Sequence, residues 1–599
     1  MSTPPQPDQP ATPPRAAFVV APSGRAALVD SCGAEPVVGS VAGLLPPVRA
    51  VVEATSGDIS ARTRLVWWAA AVDARDLVAD GIPVARCWDV AEAHRLLHGG
   101  WDARPAVAWA AAHGIPVETV PEPTRGDLFD FSATDGPPPG AVVRPDGHLA
   151  PEAGGRGWEP DDETLVAWAR AALECAGLQE SQLRTLGPRA VAAAHSESAA
   201  ALLCVELARD GLPIDRAVAE DLIAATAGPR PADHADALRI RRERDQVVLR
   251  EVPGRESTDL RNPGQVRALL AAVGIDVPNT RKWVLEPFRD THAVVPALLE
   301  WRKAERIATT YGYGWLDAHV GPDDRLRGGW TACDGAAGRM TAQNGLHNLP
   351  TELRPAVAAH PGHVFVRADL GQIEPRVLAV VSDDPAFAAA TRAADLYAPV
   401  AERLGVERAV AKVAVLAAMY GQRSGAAGEA LKGLERAYPV AMRLLDHAYA
   451  AGVRREPLRT FGGRLIRLDA ILTGDPTRLD TDAGPGAGSG GGSEAPASTA
   501  AYDSARGRFA RNAIIQGSAA ELFKAWAATV RATTRDLGAQ IVLCLHDELL
   551  VHVPAEHAEE ASERVEQALV DSARRWAGSS QVRFVADTSV IQRWSQAKG

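Results

Sequence analysis

Two hydrophobic stretches far apart in the chain each carry carboxylates. The first, around residues 364–366, leads into Asp369, and the second, IVLCLHDELLVHVP, contains Asp547 and Glu548. Short apolar runs of this kind predict buried β-strands. A carboxylate in such a run is costly to bury unless a cation neutralises it. The two stretches therefore predict one shared divalent-cation site, although two unrelated salt-bridged acids would leave the same pattern.

Between these stretches, a basic and aromatic pattern recurs every four residues. Arg408, Lys412, Leu416 and Tyr420 share one face if the segment is helical. The residues between them are apolar rather than acidic, which favours an anion-binding face over a solvated one, and its length fits a triphosphate. Only six of the 64 basic residues are lysines. A lysine at position 412 therefore indicates that a compact positive charge is needed there.

These segments resemble the motifs of family A DNA polymerases in order and spacing. The sequence DLGQIEPR at 369–376 resembles motif A, usually DYSQIELR, the helix at 408–421 resembles motif B, RxxxKxxxFxxxYG, and HDE at 546–548 resembles motif C. Residues 338–341, 346–350 and 508–520 resemble the family's TGRLSS, LQNIP and RxxxNxxxQGTAA segments. The resemblance covers roughly residues 197 to 599. It implies an α+β multidomain protein with the right-hand polymerase architecture of palm, fingers and thumb.

The resemblance also implies a domain order. An RNase H-like exonuclease-type α/β domain is expected before the polymerase domain. The predicted ranges are 1–17 for a disordered tail, 18–190 for the exonuclease-like domain, 191–599 for the polymerase domain, 197–235 and 320–400 for palm, 236–319 for thumb, 401–510 for fingers and 511–599 for palm again. A Gly- and Ser-rich insertion at 484–499 within the fingers is predicted to be flexible.

The activity implied is DNA-templated DNA synthesis in replication or repair, in which dNTPs are added to a primer 3′ end with two Mg²⁺ ions, Mn²⁺ being an alternative. The implied metal ligands are Asp369, Asp547 and the Leu370 carbonyl, and the other implied catalytic residues are Glu548 and Lys412. The residues implied to bind the dNTP are Arg408, Lys412, Leu416, Tyr420, Gln372, Glu374 and His546. The residues implied to bind DNA are Arg339, Asn348, Arg508, Asn512 and Gln516.

Three of these residues have more specific implied roles. Glu374 would crowd a 2′-hydroxyl and so exclude ribonucleotides. Arg339 and Gln516 would contact minor-groove acceptors that every correct base pair presents in similar places.

Several motif positions depart from the family pattern. Leu370, Gly371 and Pro375 stand where motif A mostly has Tyr, Ser and Leu, and Leu416 replaces the motif B aromatic. His347 replaces a Gln. Pro375 lacks an N–H, so it is expected in the first turn of the helix that follows the strand. These departures leave a catalytically weak DNA-binding scaffold as an alternative.

The exonuclease-like region lacks the carboxylate pair that such a domain needs. A working two-metal exonuclease requires a DxE on its first strand, and residues 18–150 contain no DxE. The acids at 161–163 open a helix, where they are expected to act as N-cap and dipole residues. We therefore expect a degenerate exonuclease domain. The alternative is a bifunctional enzyme with a working, divergent 3′–5′ exonuclease.

The net charge of −11 is unfavourable for DNA binding by the chain as a whole, but overall charge does not determine the local potential. Two arginine clusters are candidates for phosphate contacts, although solvated faces would look the same. The first cluster is Arg239, Arg241, Arg242, Arg244 and Arg250, and the second is Arg454, Arg455, Arg459, Arg464 and Arg467.

The chain shows no secretory signal, and its apolar runs look too short to span a bilayer. Six scattered cysteines, among them Cys544 in a predicted core strand, indicate reduced thiols rather than a disulfide framework. We expect a cytoplasmic, nucleoid-associated monomer whose partners are primer-template DNA and dNTPs, with no membrane.

Overall fold

The structure is a computed structural model that describes residues 14–54, 62–122, 137–343, 345–421, 426–468, 499–545 and 547–597. The chain forms two compact units. The first comprises Met1–Arg209, Trp330–Thr341 and Val366–Ser589, and the second Asp210–Gly329, Ala342–Phe365 and Val590–Gly599. Most of the predicted insertion at 484–499 lies outside the described residues, and so does His546.

A five-stranded mixed sheet opens the first unit. Its strand order is β3-β2-β1-β4-β5, with β1 antiparallel to β2 and parallel to β4. The strands are β1 (Arg15–Val20), β2 (Arg25–Asp30), β3 (Val37–Ser40), β4 (Arg64–Trp67) and β5 (Cys87–Asp89). The prediction of a disordered tail at 1–17 is wrong for its last residues, because β1 begins at Arg15 and buries Ala16 and Ala17 completely.

Helices alternate with these strands along the chain or follow the last of them. They are α1 (Val41–Glu53), α2 (Ala70–Asp73), α3 (Arg75–Ala79), α4 (Val90–His98), α5 (Pro105–His113), α6 (Asp162–Leu186) and α7 (Pro188–Asp210). The N-cap of α6 is Asp161, whose side chain accepts the Thr164 N–H at 2.8 Å. The predicted capping role of the acids at 161–163 is thus confirmed for Asp161.

By length and composition α7 could cross a membrane, since its 18-residue window has a mean hydropathy of 1.3. The prediction that no run is long enough is wrong by this criterion. However, 61% of that window is buried inside the protein, as in a core helix. Among the helices that the structure describes, α7 alone meets the criterion.

The second unit is mainly helical, as predicted for residues 236–319. Its elements are β6 (Leu212–Pro213), α8 (Arg216–Ala227), α9 (His234–Leu249), α10 (Pro263–Ala272), α11 (Lys282–Leu285), α12 (Val294–Thr310), α13 (Tyr313–His319) and β7 (Arg325–Leu326). Leu270 of α10, Leu285 of α11 and Leu298 of α12 are fully buried in one core, which fixes these helices against each other.

A second sheet in the chain has the strand order β13-β14-β10-β15. Its strands are β10 (His363–Leu370), β13 (Gln540–Leu545), β14 (Glu548–Pro554) and β15 (Ala586–Ile591). The apolar run around Asp547 was interpreted as one strand, but it forms a hairpin in which Leu545 pairs with Glu548. Asp547 lies in the turn of this hairpin, and aspartate is a common turn residue. Cys544 in β13 is fully buried, as predicted.

The remaining strands and helices belong to the first unit, apart from Ala342 at the end of β9. They are β8 (Trp330–Asp334), β9 (Arg339–Ala342), α14 (Ile373–Ser382), α15 (Pro385–Ala390), α16 (Tyr397–Leu404), α17 (Arg408–Tyr420), α18 (Ala426–Ala437), α19 (Pro439–Arg454), β11 (Leu458–Arg459), β12 (Leu465–Ile466), α20 (Thr499–Thr534) and α21 (Ala558–Ala577). Short 3₁₀ turns occupy Val117–Thr119, Glu286–Phe288, Leu346–Asn348, Thr351–Ala356, Arg535–Leu537, Ala555–His557 and Trp594–Gln596.

The 36-residue helix α20 crosses the predicted fingers–palm boundary at 510/511. One continuous helix thus carries the residues on both sides of that boundary, which stays a prediction. The other predicted domain limits stay predictions.

A buried charge network joins α7 to α20. Glu197 of α7 lies 2.5 Å from Lys524 of α20 and 2.7 Å from Arg464, which precedes β12. All three side chains are almost completely buried. Burial raises the pKa of Glu197, but the attraction of Arg464 and Lys524 outweighs burial and lowers it below the ordinary value.

Candidate active site

The two carboxylate stretches meet in the structure. Asp369 is the penultimate residue of β10, and the next residue, Leu370, donates its N–H to the carbonyl of Asp547 at 2.8 Å. This bond connects the end of β10 to the turn between β13 and β14. The predicted proximity of Asp369, Leu370 and Asp547 is therefore confirmed.

Arg367 is a site residue that sequence reasoning missed. Its guanidinium lies 2.8 Å from Asp369, 2.9 Å from Glu548 and 3.3 Å from Asp587. A signal was present, because residues two apart in a strand point to the same side. An arginine two positions before Asp369 should therefore face whatever Asp369 faces.

Burial raises the pKa of Asp547 to about 7, and repulsion from Asp369, Glu548 and Glu374 adds to this effect. Burial also raises the pKa of Asp369, although Arg367 opposes the shift. A cluster of carboxylates that repel each other in a buried place has a strong electrostatic preference for a cation.

A pocket of about 180 Å³ opens beside Asp547. Six residues predicted from the sequence line it, namely Arg339, Gln372, Glu374, Leu416, Gln516 and Asp547. Met340, Ile373, Pro375, Tyr397, Ala519, Ala520 and Phe523 complete the lining. The pocket therefore combines residues from four motif segments with the turn that carries Asp547.

Glu374 is the polar centre of one pocket wall. Its carboxylate accepts the Tyr420 hydroxyl at 3.1 Å and lies 3.5 Å from the Arg339 guanidinium. Burial raises the pKa of Glu374, with Arg339 and Tyr420 opposing the shift. Burial and the adjacent Glu374 raise the pKa of Tyr420 to about 12. Three predicted site residues are thus held together by direct contacts.

Two predicted DNA-binding residues on α20 carry unpaired polar atoms. Gln516 is 3% exposed, and its Nε2 makes no well-aligned hydrogen bond to the residues that the structure describes, although the amide lies close enough to the Tyr420 hydroxyl to oppose the rise in its pKa. The Oδ1 of buried Asn512 accepts no hydrogen bond from the residues that the structure describes. Because an unpaired buried polar group costs free energy, these amides are suited to bind something from outside the chain.

The turn between β10 and α14 adopts an unusual backbone conformation. Gln372 has a φ of 58°, in the left-handed region, and its side-chain Nε2 donates to Asp395 at 2.7 Å. Pro375 is the third residue of α14, so its predicted place in the first helical turn is confirmed. Arg376 is fully buried and donates to five backbone carbonyls, those of Gly371, Thr391, Ala393, Ala394 and Arg583.

The predicted helical face of motif B forms as expected in α17. However, the expectation that its cations lack acidic partners is wrong for Arg408, whose Nε lies 2.5 Å from Asp395. The partner is missed because it lies outside the helix, before α16. Lys412 is exposed on α17. Neither Arg408 nor Lys412 lines the pocket.

The structure does not bring every predicted residue to the pocket. Asn348 belongs to the second unit. Arg508 donates to Ser504 within α20 at 3.0 Å. Glu548 contacts Arg367 rather than lining the pocket. His546 and the side chain of His347 lie outside the described residues.

Several arginines of the two predicted phosphate-contact clusters have acidic partners in the structure. Arg464 is buried and paired with Glu197, so a phosphate contact for it is wrong. Arg239 pairs with Asp236 and Glu243, Arg244 with Glu305, and Arg454 with Glu456. The acidic partners of these three arginines compete with any phosphate.

The donor set of the site fits a hard divalent cation such as Mg²⁺, because Asp369 and Asp547 supply carboxylate oxygens. No group of three or more Asp, Glu, His or Cys side chains is arranged around a metal position in the described part of the chain. Arg367 provides a physical reason, since it draws the carboxylates of Asp369 and Glu548 towards its own nitrogen atoms.

Two buried acids of the N-terminal region accept backbone N–H groups. The Asp73 carboxylate accepts three backbone N–H groups, and Asp89 accepts the Glu92 N–H as the N-cap of α4. Burial raises the pKa of both Asp73 and Asp89 to about 7. Strand β1, with the sequence RAAFVV, carries no carboxylate.

Comparison with known proteins identifies the family. The family model described as DNA polymerase family A matches residues 251–451 and 489–596, more than half of the chain. The chain belongs to DNA polymerase family A. This match includes the segments that carry Asp369, α17 and Asp547, and family A polymerases generally use divalent metals.

Relatives and a solved structure agree with this assignment. DNA polymerase I of Chloroflexus aurantiacus is 30% identical over 302 residues, and that of Deinococcus radiodurans is 28% identical over 309. These alignments span 47% and 46% of the chain but only 30% of each relative's length. The POL domain of Pol1 from M. smegmatis, in complex with DNA primer-template and dNTP, superposes with a TM-score of 0.64 at 18% identity. That match covers 98% of this chain and 96% of the other, and it confirms the predicted fold class.

Proposed function

We propose that the protein is a DNA-templated DNA polymerase that adds dNTPs to a primer 3′ end. The observation that carries this proposal is the convergence of Arg339, Glu374, Leu416, Gln516 and Asp547 on one pocket beside Asp369. A pocket with carboxylates at one end and buried amide and guanidinium donors along its walls suits a nucleotide paired with a template base.

Asp369 and Asp547 would hold the divalent cations, Mg²⁺ in the first instance, with the Leu370 carbonyl as a further ligand. When bound, two such cations supply activation of the primer 3′-oxygen and neutralisation of the leaving pyrophosphate. Glu548 is held by Arg367 at 2.9 Å and would act through this contact on the geometry of Asp369.

Residues of the chain would position the nucleotide and the base pair. Lys412 and Arg408 on α17 would bind the triphosphate, which requires Arg408 to exchange Asp395 for phosphate oxygens. Glu374, fixed by Tyr420 and Arg339, would occupy the space that a 2′-hydroxyl needs. The Nε2 of Gln516, which makes no well-aligned hydrogen bond to the described residues, would donate to a minor-groove acceptor.

The N-terminal region would act as a scaffold without effective 3′–5′ exonuclease activity. Two observations support this part of the proposal: β1 lacks a carboxylate, and Asp73 and Asp89 are occupied by backbone N–H groups. The protein would work as a monomer in the cytoplasm, at the nucleoid, in DNA replication or repair.

Primer extension on a DNA template tests the proposal, with dNTPs and rNTPs offered separately. We expect extension with dNTPs, loss of extension in Asp547→Ala, and no loss in Glu566→Gln, which removes an exposed acid of α21. A labelled single strand incubated with Mg²⁺ and without nucleotides should stay intact. Failure of the wild-type protein to extend primers with either Mg²⁺ or Mn²⁺ would leave the DNA-binding scaffold as the better account.

A further inference from the structure

Arg367 occupies the centre of the carboxylate cluster. It lies on β10, two residues before Asp369, and its side chain is 7% exposed. Each guanidinium nitrogen contacts a different acid: Nε contacts Glu548 at 2.9 Å, Nη2 contacts Asp369 at 2.8 Å and Nη1 contacts Asp587 at 3.3 Å. The three acids come from β14, β10 and β15, so one side chain ties three strands at the site.

This arrangement changes the charge that a divalent cation would meet. With all three acids ionised, Arg367 reduces their summed charge from −3 to −2. A guanidinium stays protonated at physiological pH, so this compensation is permanent. Asp547 makes no contact with Arg367, and its carboxylate has no ion-pair partner among the described residues.

A metal and Arg367 would share the Asp369 carboxylate. The Oδ2 of Asp369 is bound by Arg367 Nη2, which leaves only Oδ1 for another cation. Arg367 can release Asp369 and still keep Glu548 and Asp587 as partners. A second cation must therefore either bind Oδ1 beside the guanidinium charge or displace Arg367 from Oδ2, and Arg367 opposes both.

We propose that Arg367 is a resident counter-cation that competes with divalent cations for Asp369 and thereby sets the cation concentration the site requires. In the absence of metal, the same contacts hold Asp369 and Glu548 in place and limit their mutual repulsion. The inference rests on the proposed function insofar as that function places a divalent cation at Asp369 and Asp547.

Mn²⁺ titration followed by electron paramagnetic resonance tests the proposal on the full chain without DNA or nucleotide. We expect Arg367→Gln to bind Mn²⁺ about tenfold more tightly than the wild type, within the usual range of coupling between two sites. Arg367→Lys, which keeps the charge, should stay within about threefold of the wild type.

A second variant acts in the opposite direction and preserves the buried contacts. Asp587 is 72% exposed, so Asp587→Asn should fold normally. It removes one partner of Arg367, leaves the guanidinium more strongly attached to Asp369 and Glu548, and should weaken Mn²⁺ binding. Glu566→Gln removes the same charge from an exposed position of α21 and should leave Mn²⁺ affinity unchanged.

The outcomes separate this inference from the proposed function. Unchanged Mn²⁺ affinity in both Arg367→Gln and Asp587→Asn would overturn the inference, since Arg367 would then only connect the three strands. Weaker binding in Arg367→Gln would also overturn it, because Arg367 would then arrange the metal ligands. Absence of Mn²⁺ binding in every variant, Arg367→Gln included, would contradict the metal site itself and with it the two-metal part of the proposed function.

Discussion

The buried charge network around Glu197 permits a prediction about how the N-terminal region supports the polymerase helix α20. Glu197 lies between two buried cations, Lys524 at 2.5 Å and Arg464 at 2.7 Å. Glu197→Gln removes the acid and leaves both cations without this partner. Lys524→Met removes one cation and leaves Glu197 paired with Arg464.

The two variants should therefore differ in cost. Breaking a buried ion pair from one side costs about 3–5 kcal/mol, because an uncompensated charge stays buried. We expect Glu197→Gln to lose about 4 kcal/mol of unfolding free energy. Lys524→Met should lose about 1–2 kcal/mol, close to the value of one charged hydrogen bond, since the remaining acid keeps a partner.

Urea unfolding, followed by tryptophan fluorescence and by far-UV circular dichroism, measures both variants against the wild type. The two probes are needed because a chain of two compact units need not unfold in one step. Glu566→Gln serves as the control for loss of an acid and should change stability by less than about 0.5 kcal/mol. Lys524→Met costing as much as Glu197→Gln would refute the reasoning.

Four further predictions concern the site. Because the pKa of Asp547 is raised to about 7, metal binding must displace a proton from this carboxyl at lower pH. Mn²⁺ affinity should therefore rise by up to tenfold per pH unit between about pH 5 and 7 and stay constant above about pH 7. A flat pH profile in the Mn²⁺ titration would contradict this. In the metal-free protein, the raised pKa of Asp547 makes its contribution to the free energy of unfolding largest below about pH 4, the ordinary pKa of an aspartate. This contribution should be lost as the pH rises to about 7, which urea unfolding at a series of pH values measures. Glu374→Ala should raise kcat/KM for an rNTP by about tenfold or more relative to the matching dNTP, and an unchanged ratio would count against the steric role. Arg376→Lys replaces five hydrogen bonds to backbone carbonyls by at most three and should lower the free energy of unfolding in urea by about 3 kcal/mol. Gly371→Ser should be nearly neutral, because an added Cβ would lie at an ordinary contact distance of 3.4 Å from Val585 Cγ2.

Local spacing was enough to predict several features. The four-residue period of Arg408 to Tyr420 predicted α17, the missing N–H of Pro375 predicted its place in α14, and Asp161 was recognisable as a helix cap. Each of these depends on residues within a few positions of one another. The meeting of Asp369 with Asp547 was also predictable, because both carboxylates needed the same kind of partner.

Pairing between distant segments could not be predicted in the same way. Arg464 looked like a surface phosphate contact, but its partner Glu197 lies on a helix far away in sequence. Arg408 looked unpaired because Asp395 lies outside its helix. The hairpin turn at Asp547 was hidden because both of its strands are apolar, so the run shows no change of pattern where the chain reverses.

Single-turnover incorporation of one correct dNTP, measured by rapid quench on a primer-template, tests the central claim most directly. If Asp369 and Asp547 hold the reacting centre, Asp369→Asn and Asp547→Asn should each slow incorporation by about a thousandfold or more, roughly 4 kcal/mol of transition-state stabilisation. Their affinity for primer-template DNA should stay within about threefold of the wild type. A wild-type enzyme that incorporates dNTPs while either variant loses less than about tenfold in rate would contradict the assignment of this carboxylate pair as the polymerase active site.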